Sequence, residues 1–526
     1  MTSPTKLICF NLFLKVMQNI NSIKLIKYCI LIGNYIANSL EKLLGPDGNN
    51  YFLIKHKDNH IIDNNPTEFI RLYEAKIRYS KLMVQFISNI KLQSKKFILH
   101  SMIITTCFLN KILMVMDSGI HPYKILQNFN LITKILIKLV SKFSISLPGW
   151  TKSKHTILKI ISEFIGELTN TRIKNLFSIL CVDSYLYIYD YKRKNANLNL
   201  INVKFSIGTV IEESRLLSGI LIKYSFDNYN IPKCIVKPKV AIFNHPLLFF
   251  PKKSKYCASI NEIHGLHYKY FNEVKEIDYF LKKLNLFGVN LILTQWGIDN
   301  YINTFLSNNF ILAVSWLKTQ ELELVSLISK ARILPRIQEI NYNKLGSLSR
   351  IREIQTGFGY SILAFESFKN FNCISILITA PTSDLYRTIK KSLQSALKLT
   401  DLLFKNTYLI IGKGGFEIIA LFFLLNMNTR LFKSCNIFLL IFCSALDEII
   451  ERIVHSFKSH SKFYLLNKIF CSTNNHLSIY TNILNNLKSG NKWVGLLDPS
   501  IIIKTLYYMA INTINEIISV QEVYYG

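Results

Sequence analysis

Two glycine-bearing stretches carry residue types that can hold a phosphate. The first is Leu44-Gly45-Pro46-Asp47-Gly48. A Gly-Pro-X-Gly turn between two helical patterns can set bare backbone N–H groups against an oxyanion. The same residues also make an ordinary tight turn, and the two readings stay open on this stretch alone. The second stretch lies far downstream, at Gly412, Gly414 and Gly415. Other chemistry-bearing groups are sparse. His264 and His267 form a close pair, but with no Cys or Glu at ligand spacing they do not make a zinc site. The ten cysteines are scattered without a Cys-X-X-Cys pair, which fits reduced thiols in a cytosol-like compartment.

These turns need elements to position them. Apolar residues recur at helical spacing over residues 21–44 and stop at Gly45-Pro46. Residues 51–62 read as a hairpin around a polar Lys57-Asp58-Asn59 tip. Asn65 then stands as N-cap, Pro66 as N1 and Glu68 as N3 of a helix striped by Leu72, Ala75, Tyr79 and Leu82. Residues 97–117 form a further helix, and Gly119-Ile120-His121-Pro122 turns the chain into another, striped by Ile125, Phe129, Ile132 and Leu136. Pro148-Gly149 marks a boundary.

Beyond it, residues 185–191, 240–243, 291–294, 310–314 and 374–379 are short β-rich runs. Strand and helix alternate over residues 291–329, as in a βαβ unit. From Ser383 the pattern is helical and stays mostly so to the end. The simplest arrangement is a helical domain made of both chain ends, with an α/β insertion between them.

Composition narrows the class. The chain has 526 residues, half of them hydrophobic, so a membrane protein has to be weighed. The run at residues 98–116 is broken by His100, Asn110 and Lys111, and that at 418–446 by Asn426, Asn428, Arg430 and Lys433. A span needs about 20 mostly apolar residues, so buried helices of a large protein fit better. The apolar stretch at residues 7–14 lacks a small-residue cleavage site and reads as a core helix rather than a signal peptide. The net charge is +30, yet the lysines are diluted among asparagine and isoleucine, and clusters such as Lys252-Lys253-Ser254-Lys255 are short. No basic-and-aromatic platform stands out, which argues against a dedicated nucleic-acid role.

The order of these motifs is familiar. Leu-Gly-Pro-X-Gly, a hairpin, an Asn-Asn helix start, Lys81-Leu82-Met83-Val84, Gly-Ile-His-Pro, a late glycine cluster and Asp498-Pro499 together resemble a group II chaperonin subunit, of the cytosolic T-complex protein 1 ring. The resemblance covers about residues 21–521. Within that family it is most similar to the epsilon subunits, through Ile211-Glu212-Glu213-Ser214-Arg215-Leu216, Gln295-Trp296-Gly297-Ile298-Asp299, Ala313-Val314-Ser315-Trp316, Glu321-Leu322-Glu323-Leu324 and Arg332-Ile333-Leu334-Pro335-Arg336.

The resemblance implies a multidomain α + α/β chaperonin fold: a helical equatorial domain, an α/β intermediate domain, and an α/β apical domain with a helical protrusion. The implied segments are equatorial 1–147 and 405–526, intermediate 148–212 and 368–404, and apical 213–367. Residues 249–276 would be the protrusion. Their bottom-up reading is an exposed loop and amphipathic helix, and Tyr268, Tyr270, Phe271 and Phe280 could equally pack on the apical core. The implied function is that of a cytoplasmic, hetero-oligomeric, ATP-dependent double-ring chaperone that encloses unfolded proteins, with other chaperonin subunits as partners and neither nucleic acid nor membrane. The alternative is a structural scaffold or membrane-associated protein outside any ring.

By the same resemblance, Leu44, Gly45 and Pro46 match the family's phosphate turn, and Gly412, Gly414 and Gly415 its later glycine cluster, with Lys413 in place of the middle glycine. Asp498 matches the residue that contacts the nucleotide's sugar. The family's acidic positions for Mg²⁺ and catalysis correspond to Asn65, Lys96 and Ser395. The Gly-Asp-Gly-Thr-Thr loop is replaced throughout by Lys95-Lys96-Phe97-Ile98-Leu99. A cation in place of the aspartate repels Mg²⁺ by several kcal/mol even at an effective dielectric of about 20. ATP is therefore the expected ligand, Mg²⁺ is doubtful, and the subunit's own hydrolysis is expected to be weak or lost. Lys96 either neutralises phosphate directly or, with Lys95, simply starts a solvated helix.

Overall fold

The computed structural model describes residues 20–21, 27, 30–35, 37–38, 52–56, 59–63, 95–146, 150–165, 170–208, 210–227, 233–247, 275, 277–355, 361–366, 373–412, 414–427, 436–455, 497–519 and 522–523. It divides into two compact units, Met1–Ser178 with Lys391–Gly526, and Ile179–Lys390.

The first unit is built on helices from both ends of the chain. Lys95–Asp117, Pro122–Lys142, Gly415–Met427, Asn436–His455 and Ser500–Ser519 surround one apolar core. At its centre Phe108, Phe129 and Phe442 meet with ring centroids 4.5 to 5.9 Å apart, so three helices from distant parts of the sequence share one aromatic cluster. The Pro122–Lys142 helix starts as its sequence dictates: His121 is an extended N-cap whose Nδ1 accepts from the Tyr123 amide, and Pro122 occupies the first turn, where no amide is needed.

The Lys95–Asp117 helix is long and apolar enough to cross a membrane, yet two thirds of its apolar window is buried in the protein. The three residues that break its apolar run each find a partner. His100 meets Glu417 at 3.3 Å, Asn110 exchanges hydrogen bonds with Asn34, and Lys111 lies 3.6 Å from Glu448.

Phe52–His56 and Asn59–Asp63 form the expected antiparallel hairpin, with Phe52 opposite Asp63. The helix expected from Asn21 begins later, because Ile20–Asn21 pair as a short strand with Glu522–Val523. A three-stranded antiparallel sheet, in the order Leu497–Pro499, Tyr408–Ile411, Ile145–Ser146, interrupts the helical C-terminal pattern.

The second unit holds two larger sheets. In one, Leu312–Val314, Leu291–Thr294, Lys239–Phe243 and Ile333–Leu334 run parallel, and Gly346–Ser347 pairs antiparallel to Lys239–Phe243. Leu291–Thr294 is buried at every position, which a central parallel strand requires. With the Asn300–Asn308 and Thr319–Ser329 helices it confirms the βαβ reading. The other sheet runs Ile201–Ile207, Ile374–Ala380, Arg215–Ile222, Ser361–Glu366, Arg350–Gln355, Cys234–Val236. Gly219 there takes φ +138°, and a Cβ would sit 1.9 Å from the Phe365 carbonyl, so no other residue fits that strand crossing.

Two strand expectations are corrected. Residues 185–191 are not a strand. Residues 185–188 end the Thr171–Ile188 helix, where Tyr185 is fully buried, and burial on a helix overrides its β propensity. Phe310 is not in a strand either; it takes φ +56° in the turn before Leu312–Val314. The protrusion at 249–276, with Tyr268, Tyr270 and Phe271, lies outside the described residues apart from Lys275. Phe280 resolves to the packing alternative, buried with its ring 5.9 Å from Phe243.

Candidate functional site

The downstream glycine cluster sits where the Tyr408–Ile411 strand turns into the Gly415–Met427 helix. The Gly415 amide donates to the Gly412 carbonyl at 3.0 Å, and the Ile418 amide to the Gly414 carbonyl at 3.2 Å. Gly414 has φ +92°, a conformation a side chain strains against. The antiparallel partner strand places Asp498 opposite Ile410, and its carboxylate folds over Gly412. A Cβ at Gly412 would lie 1.7 Å from Asp498 Oδ2, and one at Gly415 2.3 Å from Ile411 Cγ2. The turn thus brings side-chain-free backbone to the head of a helix, with one carboxylate packed against it and the Gly415 amide already bonded to the Gly412 carbonyl. That is the arrangement in which N–H groups can meet an oxyanion.

Beneath this turn lies a polar cluster that the sequence reading missed. Glu417, in the first turn of its helix, is 1 % exposed and accepts a hydrogen bond from the Tyr507 hydroxyl at 3.0 Å. Its Oε1 also lies 3.3 Å from His100 Nε2, an ion-pair contact outside hydrogen-bond geometry, while Oε2 is buried with no hydrogen-bond partner. Burial pulls the His100 pKa down, but contact with Glu417 and a smaller contribution from Asp498 outweigh it, leaving His100 above the ordinary histidine value. Burial pushes Glu417 up, but His100 and Tyr507 hold its net pKa below the usual carboxylate value. Burial first, then the charge of Glu417, drives Tyr507 well above the tyrosine value. The pair is therefore imidazolium and carboxylate over the mildly acidic range. A signal was present in the sequence: Glu417 is the single charged residue of its helix, and His100 the first polar break in the apolar run of another.

The expected site residues fall into three groups. Gly412, Gly414, Gly415 and Asp498 come together at one turn. Leu44, Gly45, Pro46 and Asn65 lie outside the described residues. Lys96 occupies the second position of the Lys95–Asp117 helix, one turn before His100, and Ser395 lies on the Ser383–Lys405 helix.

The residues in place of the family's acids do not fit a Mg²⁺ ion. Ser395 is neutral, and its hydroxyl is committed to the Lys391 carbonyl at 3.0 Å. The Lys95–Asp117 helix opens on two lysines with no acid in its first turn. Among the described residues no group of three or more His, Cys, Asp or Glu side chains could hold a metal. A cation at a helix N-terminus opposes the helix dipole, a cost of roughly 0.3–1 kcal/mol at a surface unless an anion compensates it.

Comparison with known proteins agrees with the motif order. The TCP-1/cpn60 chaperonin family matches residues 36–524. The T-complex protein 1 subunit epsilon of Encephalitozoon cuniculi (strain GB-M1) is 24 % identical over 386 residues, 73 % of this chain and 71 % of that protein.

Proposed function

The chain belongs to the TCP-1/cpn60 chaperonin family, and on that premise we propose that it is one epsilon-like subunit of a hetero-oligomeric, cytoplasmic double ring that encloses and folds other proteins. Residues 1–147 and 405–526 would form its equatorial domain, 148–212 and 368–404 its intermediate domain, and 213–367 its apical domain. Nucleotide use follows from the family. Here ATP would be held by Leu44, Gly45 and Pro46 on one side, and by Gly412, Gly414, Gly415 and Asp498 on the other.

Within that role the subunit binds ATP but does not hydrolyse it at a useful rate. The observation carrying this reading is the replacement of all three acidic positions, by Asn65, Lys96 and Ser395, inside sequence that otherwise follows the family. Phosphoryl transfer needs charge-stabilising metal and a group to position the nucleophile. An amide, an ammonium and a hydroxyl bonded to its own helix supply neither. Lys96, near a helix N-terminus that lacks acids, would neutralise phosphate in the metal's stead. A ring of different subunits tolerates one silent member, because neighbours transmit closure through their interfaces.

The test is to purify the assembly through a tag on this chain and pair native mass spectrometry with single-turnover hydrolysis by the isolated subunit. The expected result is one copy per ring beside other chaperonin subunits, ATP bound, and no phosphate released. Hydrolysis at the rate of ordinary family members overturns the silent-subunit reading. A monomeric or membrane-pelleting chain overturns the ring reading in favour of a scaffold or membrane-associated protein.

A further inference from the structure

In the second unit two ammonium groups lie close to a stacked pair of aromatic rings. Phe205, on the Ile201–Ile207 strand, stacks on Tyr386 with centroids 4.5 Å apart and planes at 23°. Lys223 Nζ lies 5.2 Å from the Phe205 centroid, and Lys390 Nζ 5.7 Å from that of Tyr386. Lys204, next to Phe205, is neutralised by Glu321 at 2.8 Å. Nearby, Asp384 pairs with Arg387. Among the described residues no carboxylate pairs with Lys223 or Lys390. Among the described residues the cluster thus carries two uncompensated cations. Their crowding is felt at Lys223, whose pKa is lowered by partial burial and then by Lys204 and Lys390.

We propose that this lysine-flanked ring stack is a docking surface for an acidic segment of a neighbouring subunit. The inference rests on the reading of the chain as a ring subunit. Three observations select the occupant. Each ring gives one face to the other and has an ammonium within 6 Å of its centroid, a cationic setting that suits a carboxylate better than a nucleobase. The Ile201–Ile207 strand is the outer strand of its sheet, so the cluster lies at an edge rather than in a closed interior. The chain as a whole carries +30, and an interface to such a surface is favoured by complementary carboxylates. Two ammonium groups beside one ring pair suit two acidic side chains on one segment.

The test is carbodiimide cross-linking of the purified native assembly, which joins an amine to a carboxylate only at ion-pair distance. The internal Lys204–Glu321 pair is the positive control. The expected result is a link from Lys223 or Lys390 to an Asp or Glu of a different chain, suppressed at about 0.5 M salt, where exposed charges are screened. Lys223→Glu with Lys390→Glu should lower recovery of that neighbour about tenfold, a loss of one decade in affinity, and the two Arg variants should retain it. An assembled chain that forms the control link but no link from either lysine to another chain overturns this surface alone. So does protection of both lysines from acylation in the isolated chain by inorganic phosphate, which would make a small oxyanion the occupant. A chain that never enters an assembly overturns the subunit reading instead.

Discussion

His100 and Glu417 form a buried pair whose removal is asymmetric. His100→Ala leaves the Glu417 carboxylate buried without its cation, and breaking such a pair from one side costs about 3–5 kcal/mol. Hydrogen exchange of the Lys95–Asp117 and Gly415–Met427 amides should report a loss of that size. The pH dependence fixes the cause. The raised pKa of His100 contributes stability that is full below the unfolded value of 6.5 and is lost as pH rises through the higher folded value. The lowered pKa of Glu417 contributes stability present above 4.5 and lost as pH falls through its folded value. The advantage of the wild type over His100→Asn should therefore be largest between those two unfolded values and shrink above 6.5. A difference that does not vary with pH would mean that packing, not charge, holds the site. Gly412 makes a separate test, since a methyl there collides with Asp498. Gly412→Ala should cost about 1–3 kcal/mol, as overpacked sites do, and weaken ATP binding measured by titration calorimetry. Asp498→Gly in the same chain should recover the stability but not the binding.

At the scale of elements, the sequence was most legible where period and punctuation agreed. His121-Pro122 announced a helix start, and the polar tip at Lys57 and Asp58 announced a hairpin, because caps and turns are local chemistry. Legibility failed where tertiary burial decided. Tyr185 carries β propensity, but the fold needs a buried helical face there, and its ring meets that of Tyr189, just past the helix end, at 5.8 Å. The candidate site shows the same division. The glycines and Asp498 could be named from motif order, whereas the His100–Glu417–Tyr507 cluster joins three helices whose proximity no local pattern encodes. The aromatic cluster that brings such helices together is likewise testable. Phe108→Ala opens a cavity beside Phe129 and Phe442 and should destabilise the first unit by about 3–5 kcal/mol, read as a lower denaturant midpoint for its helices, with the second unit unchanged.

Across the whole molecule, the proposed function separates the phosphate turn from the metal site. The turn depends on backbone geometry, which Gly412, Gly414 and Gly415 preserve, and on one carboxylate, Asp498. The metal site depends on side-chain charge, which Asn65, Lys96 and Ser395 do not supply. On that separation, the metal site is recoverable without rebuilding the fold. The triple variant Asn65→Asp, Lys96→Asp and Ser395→Asp should bind Mn²⁺ in the presence of ATP, detected by electron paramagnetic resonance, where the wild type does not. Lys96→Asp alone should fall short, because a lone carboxylate is a poor cage for a hard divalent cation that takes several oxygen ligands. ATP affinity of the wild type should be little changed by chelating Mg²⁺ with EDTA, while that of the triple variant should fall about tenfold or more, repelled by the carboxylates no longer neutralised. Wild-type binding that collapses in EDTA would show that the divalent ion still reaches the pocket by ligands other than these three.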